Sequence, residues 1–132
     1  MKNVFDVLVG KTIIMLTASL DLELMEFYDV SGDVFRFSTV IDCCNSVWFN
    51  HVSGLDCLIK STVVEVRQSQ WNEVARTEQE DDEACFWTFI TTHGYFDLEV
   101  RNSSNGYYGG GIELVSIGKS MDHNLIKIEE DF

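Results

Sequence analysis

The 132-residue sequence carries 45% hydrophobic and 12% aromatic residues, nine glycines and no proline, the composition of one globular domain over 1–132 rather than two. A chain of this size buries roughly two-thirds of the surface its unfolded form exposes, so it folds without disulfide staples or structural metal. Nine Lys and Arg against 22 Asp and Glu leave a net charge of −13, whose field repels DNA, RNA and anionic membrane surfaces and excludes general nucleic-acid binding.

Short runs of β-branched and aromatic residues replace the three-to-four-residue period of helices, so the expected fold is α+β: a mostly antiparallel, twisted β-sheet with one or two short helices. The opening Met1–Gly10 is too short and too polar, with Asp6 inside it, for a signal peptide or a membrane span. Strands are predicted over Thr12–Ala18 and Leu22–Tyr28. The turn residues Asp29–Asp33 then lead into Val34–Ile41, so the second and third strands form a hairpin. Val47–Phe49 reads as a short strand, and Ser53–Ile59 as a helical turn or two with Ser53 as N-cap. Thr62–Arg67 is another strand. Ser69–Glu83 ends in five acids within the six residues Glu78–Glu83 and reads as a mobile, solvated loop. Cys85–Thr92 and Tyr95–Arg101 form a second hairpin around His93-Gly94, followed by strands at Gly111–Ile117 and Leu125–Ile128. Residues 119–132 read as a C-terminal extension whose last four, Glu129–Phe132, fray.

The four cysteines, Cys43, Cys44, Cys57 and Cys85, show no C-x-x-C spacing, and His51, His93 and His123 are scattered singly, so no metal site and no cofactor are expected. Reduced thiols in a cytoplasm are the simplest reading. The sequence holds no phosphate-cradling Walker loop, no G-x-S-x-G, no H-E-x-x-H and no dinucleotide fingerprint. The acid pairs Glu23/Glu26 and Asp97/Glu99 are the nearest thing to acid–base machinery, and for Asp97/Glu99, two apart on one face of a predicted strand, a solvated face is expected. Among the tryptophans, Trp48, Trp71 and Trp87 read as core or interface anchors.

Arg101–Gly111 is the most informative stretch. It packs a guanidinium, short hydrogen-bonding side chains, two adjacent tyrosines and four glycines into eleven residues. Asn105-Gly106 can turn the backbone through positive φ, glycines admit a ligand close to main-chain N–H groups, Arg101 can grip a phosphate, and Tyr107 or Tyr108 can offer an aromatic face. These are parts of a nucleotide pocket. A hairpin loop whose glycines serve the turn uses the same residues.

The order Gly10-Lys11-Thr12-Ile13, Asp42-Cys43-Cys44 with Val47, Ser53-Gly54-Leu55 with Leu58-Ile59, Trp87-Thr88-Phe89, Val100-Arg101 and Ser104-Asn105-Gly106-Tyr107-Tyr108 resembles a family of small phage-encoded proteins. In that family D-C-C, W-T-F and S-N-G-Y-Y motifs recur in this order. The resemblance spans about Leu8 to Leu114 and extends to the anti-Thoeris sponges that also counter CBASS-type immunity. It implies a non-enzymatic protein in the cytoplasm of an infected bacterium. Such a protein traps a cyclic nucleotide immune signal, glycocyclic ADP-ribose or a cyclic oligonucleotide, without cleaving it. It also implies homo-oligomers with pockets completed between protomers, and Arg101, Asn105, Gly106, Tyr107 and Tyr108 as ligand contacts. The chain departs from that pattern at Asn45, where an acid is usual, at Thr39-Val40-Ile41, where a His often precedes D-C-C, and at Asn102, where an aromatic is usual.

Two readings stand beside the sponge. An acidic mimic of nucleic acid that blocks a host defence enzyme would use the Glu78–Glu83 and C-terminal acids. A phosphodiesterase would turn the trapped ligand into products.

Overall fold

The computed structural model describes residues 3–41, 45–76, 81–104, 111–119 and 124–132. A 3-10 helix at Val4–Leu8 precedes β1 (Thr12–Ala18), β2 (Leu24–Asp29), β3 (Val34–Val40) and β4 (Asn45–Ser53). Then come the one-turn helix α1 (Leu55–Leu58), β5 (Ser61–Gln68), β6 (Asn72–Arg76), β7 (Asp81–Thr91), β8 (Gly94–Ser104), β9 (Gly111–Gly118) and β10 (Ile126–Lys127). All described pairings are antiparallel, in the order β4-β8-β7-β5-β1-β2-β3-β9, with β10 on β1 and β6 on β7. The protein is therefore an α+β domain dominated by antiparallel sheet, as its alternating apolar pattern requires.

The sheet has two halves, joined by the short β1–β5 contact at Thr12↔Thr62 and Ile13↔Ser61. Their apolar faces meet across a core that includes Phe27 and Phe37 from one half and Trp87, Phe89 and Phe96 from the other. Phe27 and Phe89 stack across it, their planes 9° apart. Phe5, from the 3-10 helix, lies between the halves and touches Phe27, Phe37, Trp87 and Phe89. A reciprocal cap holds that helix: Phe5 N–H donates to Asn3 Oδ1 and Asn3 N–H to Asp6 Oδ2, while the Asn3 amide donates to the carbonyl of Val66 on β5.

Several expectations are corrected. β2 begins at Leu24 rather than Leu22, because Leu22 sits at φ 59 in a turn where Asp21 Oδ1 accepts from the Ser19 hydroxyl and Glu23 N–H. Val47–Phe49 is only the middle of β4; its flanking Asn and Ser residues look loop-like, but their backbones pair with β8 from Asn45↔Ser104 to Ser53↔Asp97. The N-cap of α1 is Gly54 at φ 82, not Ser53. A Cβ there would collide with the Tyr95 carbonyl oxygen, so Gly54 is required twice, by conformation and by space. The stretch 69–83, read as a loop, contains β6 and the start of β7. Ladder bonds use backbone groups, so acidic residues such as Asp82 and Glu83 can pair with β6 in a ladder that makes no demand on their side chains.

The C-terminal residues are docked rather than frayed. Val52 and Phe132 exchange backbone hydrogen bonds, and both Asp131 carboxylate oxygens accept from the N–H groups of Gly54 and Leu55 that open α1. Those two bonds hold the Asp131 carboxyl below the usual aspartate range.

Two outcomes follow from these contacts. Replacing Phe5 by Ala removes the ring common to both halves and is expected to destabilise the fold by about 3–5 kcal/mol, read as a lower urea midpoint. Asp131 stabilises the fold above the unfolded aspartate range, and that contribution disappears as pH falls through the lower folded value. Asp131→Asn is therefore expected to flatten the acid limb of the stability–pH curve below about pH 4, and an unchanged limb would exclude the cap.

Candidate functional site

Register pairs the residues that flank the two sequence motifs. On one half of the sheet Val40 pairs with Gly111, and on the other Asn45 pairs with Ser104. The segment that carries D-C-C runs from Val40 to Asn45, and the segment that carries S-N-G-Y-Y runs from Ser104 to Gly111. The flanks of the two motif segments are thus paired with each other, Val40 with Gly111 in one half and Asn45 with Ser104 in the other. Of the five expected contacts, Arg101 lies on β8; Asn105, Gly106, Tyr107 and Tyr108 lie outside the described residues, as do Cys43 and Cys44.

β8 presents different chemistry on its two faces. Phe96, Leu98 and Val100 are wholly buried on the inner face, and the same alternation carries Asn102 (1% exposed) and Ser104 inward, so the core turns polar near the motif end. Asn45, on β4, donates its amide N–H to Asn102 Oδ1 at 3.0 Å. Two of the positions where the chain departs from the resembled pattern are therefore in direct contact.

Arg101 faces the other way. Its partner across the ladder is Trp48, whose neighbours Val47 and Phe49 are buried, so Trp48 and Arg101 stand side by side on the outer face. The β4–β8 register slips between Phe49 and His51, and this bulge inserts Asn50. The Asn50 side chain links its neighbours: Trp48 Nε1–H donates to Asn50 Oδ1 at 2.9 Å, Asn50 Nδ2–H to Glu99 Oε1 at 2.7 Å, and Arg101 Nε–H to Glu99 Oε2 at 3.2 Å. The Glu99 side chain is 9% exposed and that of Arg101 27%. The result is a fixed row of indole, amide, carboxylate and guanidinium. Trp48 and Arg101 lie three pairs in from the Asn45↔Ser104 end, about 10 Å along the strands.

Trp48, expected as a core or interface anchor, instead pairs with Arg101 on the outer face, a contact that only the β4–β8 register reveals. The acid pairs do not assemble. Asp97 accepts from the Thr88 hydroxyl, whereas Glu99 is buried rather than on the expected solvated face, because Asn50 and Arg101 bind its carboxylate and cover it. Glu26 is wholly buried, accepts from Thr17 and Tyr28 and faces Arg36 at 3.8 Å. Glu23 sits instead in the β1–β2 turn, where neighbouring Asp21 raises its pKa. A groove of about 560 Å³ over Arg36 is lined by Ser19, Asp21, Glu23, Ser38 and Ile41 among others, and the Asp21 and Glu23 carboxyls in its wall disfavour an anion there.

Of the thiols, Cys85 is buried and hydrogen-bonded to the Ser69 carbonyl, and burial pushes its pKa up, the reverse of what a nucleophile needs. Among the described residues no three His, Cys, Asp or Glu side chains cluster as a metal ion would require, and no helix is long and apolar enough to cross a membrane.

Because Glu99 is nearly enclosed, Arg101→Ala is expected to cost about 1–3 kcal/mol of stability, less than a fully buried pair because Arg101 is partly in water. Adding Glu99→Gln should recover part of that loss in a denaturation double-mutant cycle. Strict additivity would mean that the two side chains do not interact.

A family model described as a domain of unknown function (DUF7448) matches residues 6–114. No curated protein and no solved structure matches the chain. The matched stretch runs from the 3-10 helix into β9 and includes both motif segments with the whole Trp48–Arg101 row, and the chain thus belongs to the DUF7448 family.

Proposed function

We propose that this protein is a non-enzymatic binding module that sequesters a small anionic nucleotide of the cyclic signalling class, and so serves a phage against host immune signalling. The observation that carries the reading is the double pairing, Val40↔Gly111 and Asn45↔Ser104, which gives the D-C-C and S-N-G-Y-Y segments common flanks. Arg101 supports it from one side, as a guanidinium held in place beside an aromatic ring. Tyr107 and Tyr108 are the proposed stacking residues within the motif, with Asn105 and Gly106 shaping the approach of the backbone.

A sponge needs tight binding and no turnover. The acids and thiols described above are engaged in structural bonds or sit apart from one another, which favours capture over hydrolysis. Homo-oligomers belong to the same proposal: β9 lies at one end of the strand order, with Val115 and Ile117 each 51% exposed, a surface that association would cover.

The test is to incubate purified protein with a panel of cyclic oligonucleotides and glycocyclic ADP-ribose isomers. Free ligand is read by chromatography before and after heat denaturation. Loss of one ligand followed by its intact recovery is the expected outcome, and Tyr107→Ala or Tyr108→Ala should weaken uptake by about fivefold or more. New products would make the protein an enzyme. An untouched panel would end the sponge reading and favour an acidic, partner-blocking protein.

A further inference from the structure

We infer that Trp48 is a nucleotide contact: the base of a nucleoside phosphate stacks on its indole while Arg101 receives the phosphate, on the outer face of β4 and β8. The inference rests on the nucleotide-binding reading above and adds a residue and a face to it.

Three observations carry it. Trp48 and Arg101 are direct cross-strand partners, which brings an aromatic ring and a guanidinium within the span of one small ligand. Both are held in orientation by the same two groups. The Trp48 N–H bond to Asn50 lies in the ring plane and so does not itself use a ring face, and Glu99 engages Arg101 through Nε, on a different edge from the terminal nitrogens that fork onto phosphate. The Asn50–Glu99 hydrogen bond at 2.7 Å closes the row, so neither orientation has to be bought from ligand binding.

The neighbouring positions fit the same use. Ala84, opposite Arg101 on β7, puts only a methyl beside the guanidinium. The bulge at Asn50 shifts the inward alternation of β4 from Val47 and Phe49 to Val52, and at the same step turns an amide toward both Trp48 and Glu99. Asn50 and Glu99 are accordingly positioning residues, and Trp48 and Arg101 the contacts.

The probe is adenosine 5′-monophosphate, the smallest molecule with both a base and a phosphate. At millimolar concentration it should quench tryptophan emission. Trp48→Phe, which keeps a ring in place, should abolish that quench, whereas Trp71→Phe should leave it intact. Asn50→Ala should weaken the quench by about threefold or more by releasing the indole. An indole N–H spectrum of the unsubstituted protein reads the same contact without any variant: the Trp48 resonance should shift on titration. No quench in the native protein, a quench that survives Trp48→Phe, or a shift confined to Trp71 or Trp87 would overturn the assignment. Failure of the parent reading looks different, because a chain that retains no cyclic nucleotide but whose Trp48 still responds to the monophosphate has this subsite and is not a sponge.

Discussion

Phe5 is the contact on which the rest of the molecule depends. The two halves of the sheet are linked through the backbone by the short β1–β5 pairing and by the Phe49 N–H bond to the Leu22 carbonyl, and between these links side chains hold them face to face. A single ring from the 3-10 helix reaches Phe27 and Phe37 on one side and Trp87 and Phe89 on the other. Aromatic rings suit this task because each buries a large area and makes directional edge-to-face contacts that fix relative orientation as well as distance.

That closure determines where the motifs go. Once the halves are face to face, the β3–β4 and β8–β9 connections begin and end on paired strands, and the D-C-C and S-N-G-Y-Y segments acquire shared flanks although about sixty residues separate them in sequence. The same geometry sorts β8 by face. Arg101 and Asn102 are adjacent in the chain, yet one stands outside with Trp48 and the other inside with Asn45. A site using both would have to wrap the end of the strand, whereas the row formed by Trp48, Asn50, Glu99 and Arg101 is complete on one face.

Charge acts on a different scale. A net charge of −13 acts against anionic ligands at long range, and the Arg101–Glu99 pair adds no net positive charge to offset it. Capture of a phosphate on this face must therefore rely on short-range hydrogen bonds and stacking in a fixed frame, which are effective only at contact. The docked C-terminus illustrates the economy of the same logic elsewhere: Asp131, one acid among many, is placed where two unpaired N–H groups at the start of α1 need an acceptor.

Sequence by itself determined the fold class, the two hairpins and most strand positions, because alternation of apolar residues and turn chemistry are local properties that survive in one dimension. It also singled out Arg101 and the tyrosine-containing segment by composition. It missed the extent of β4 and the presence of β6, since backbone pairing imposes no requirement on polar side chains such as Asn45, Ser46 or Glu73. It missed the anchoring of Asp131, which depends on residues 76 and 77 positions away. Only the tertiary structure decided that Trp48 faces outward next to Arg101. That depends on the register of β4 against β8 and on one inserted residue, and register is set by long-range pairing that no stretch of neighbouring residues encodes.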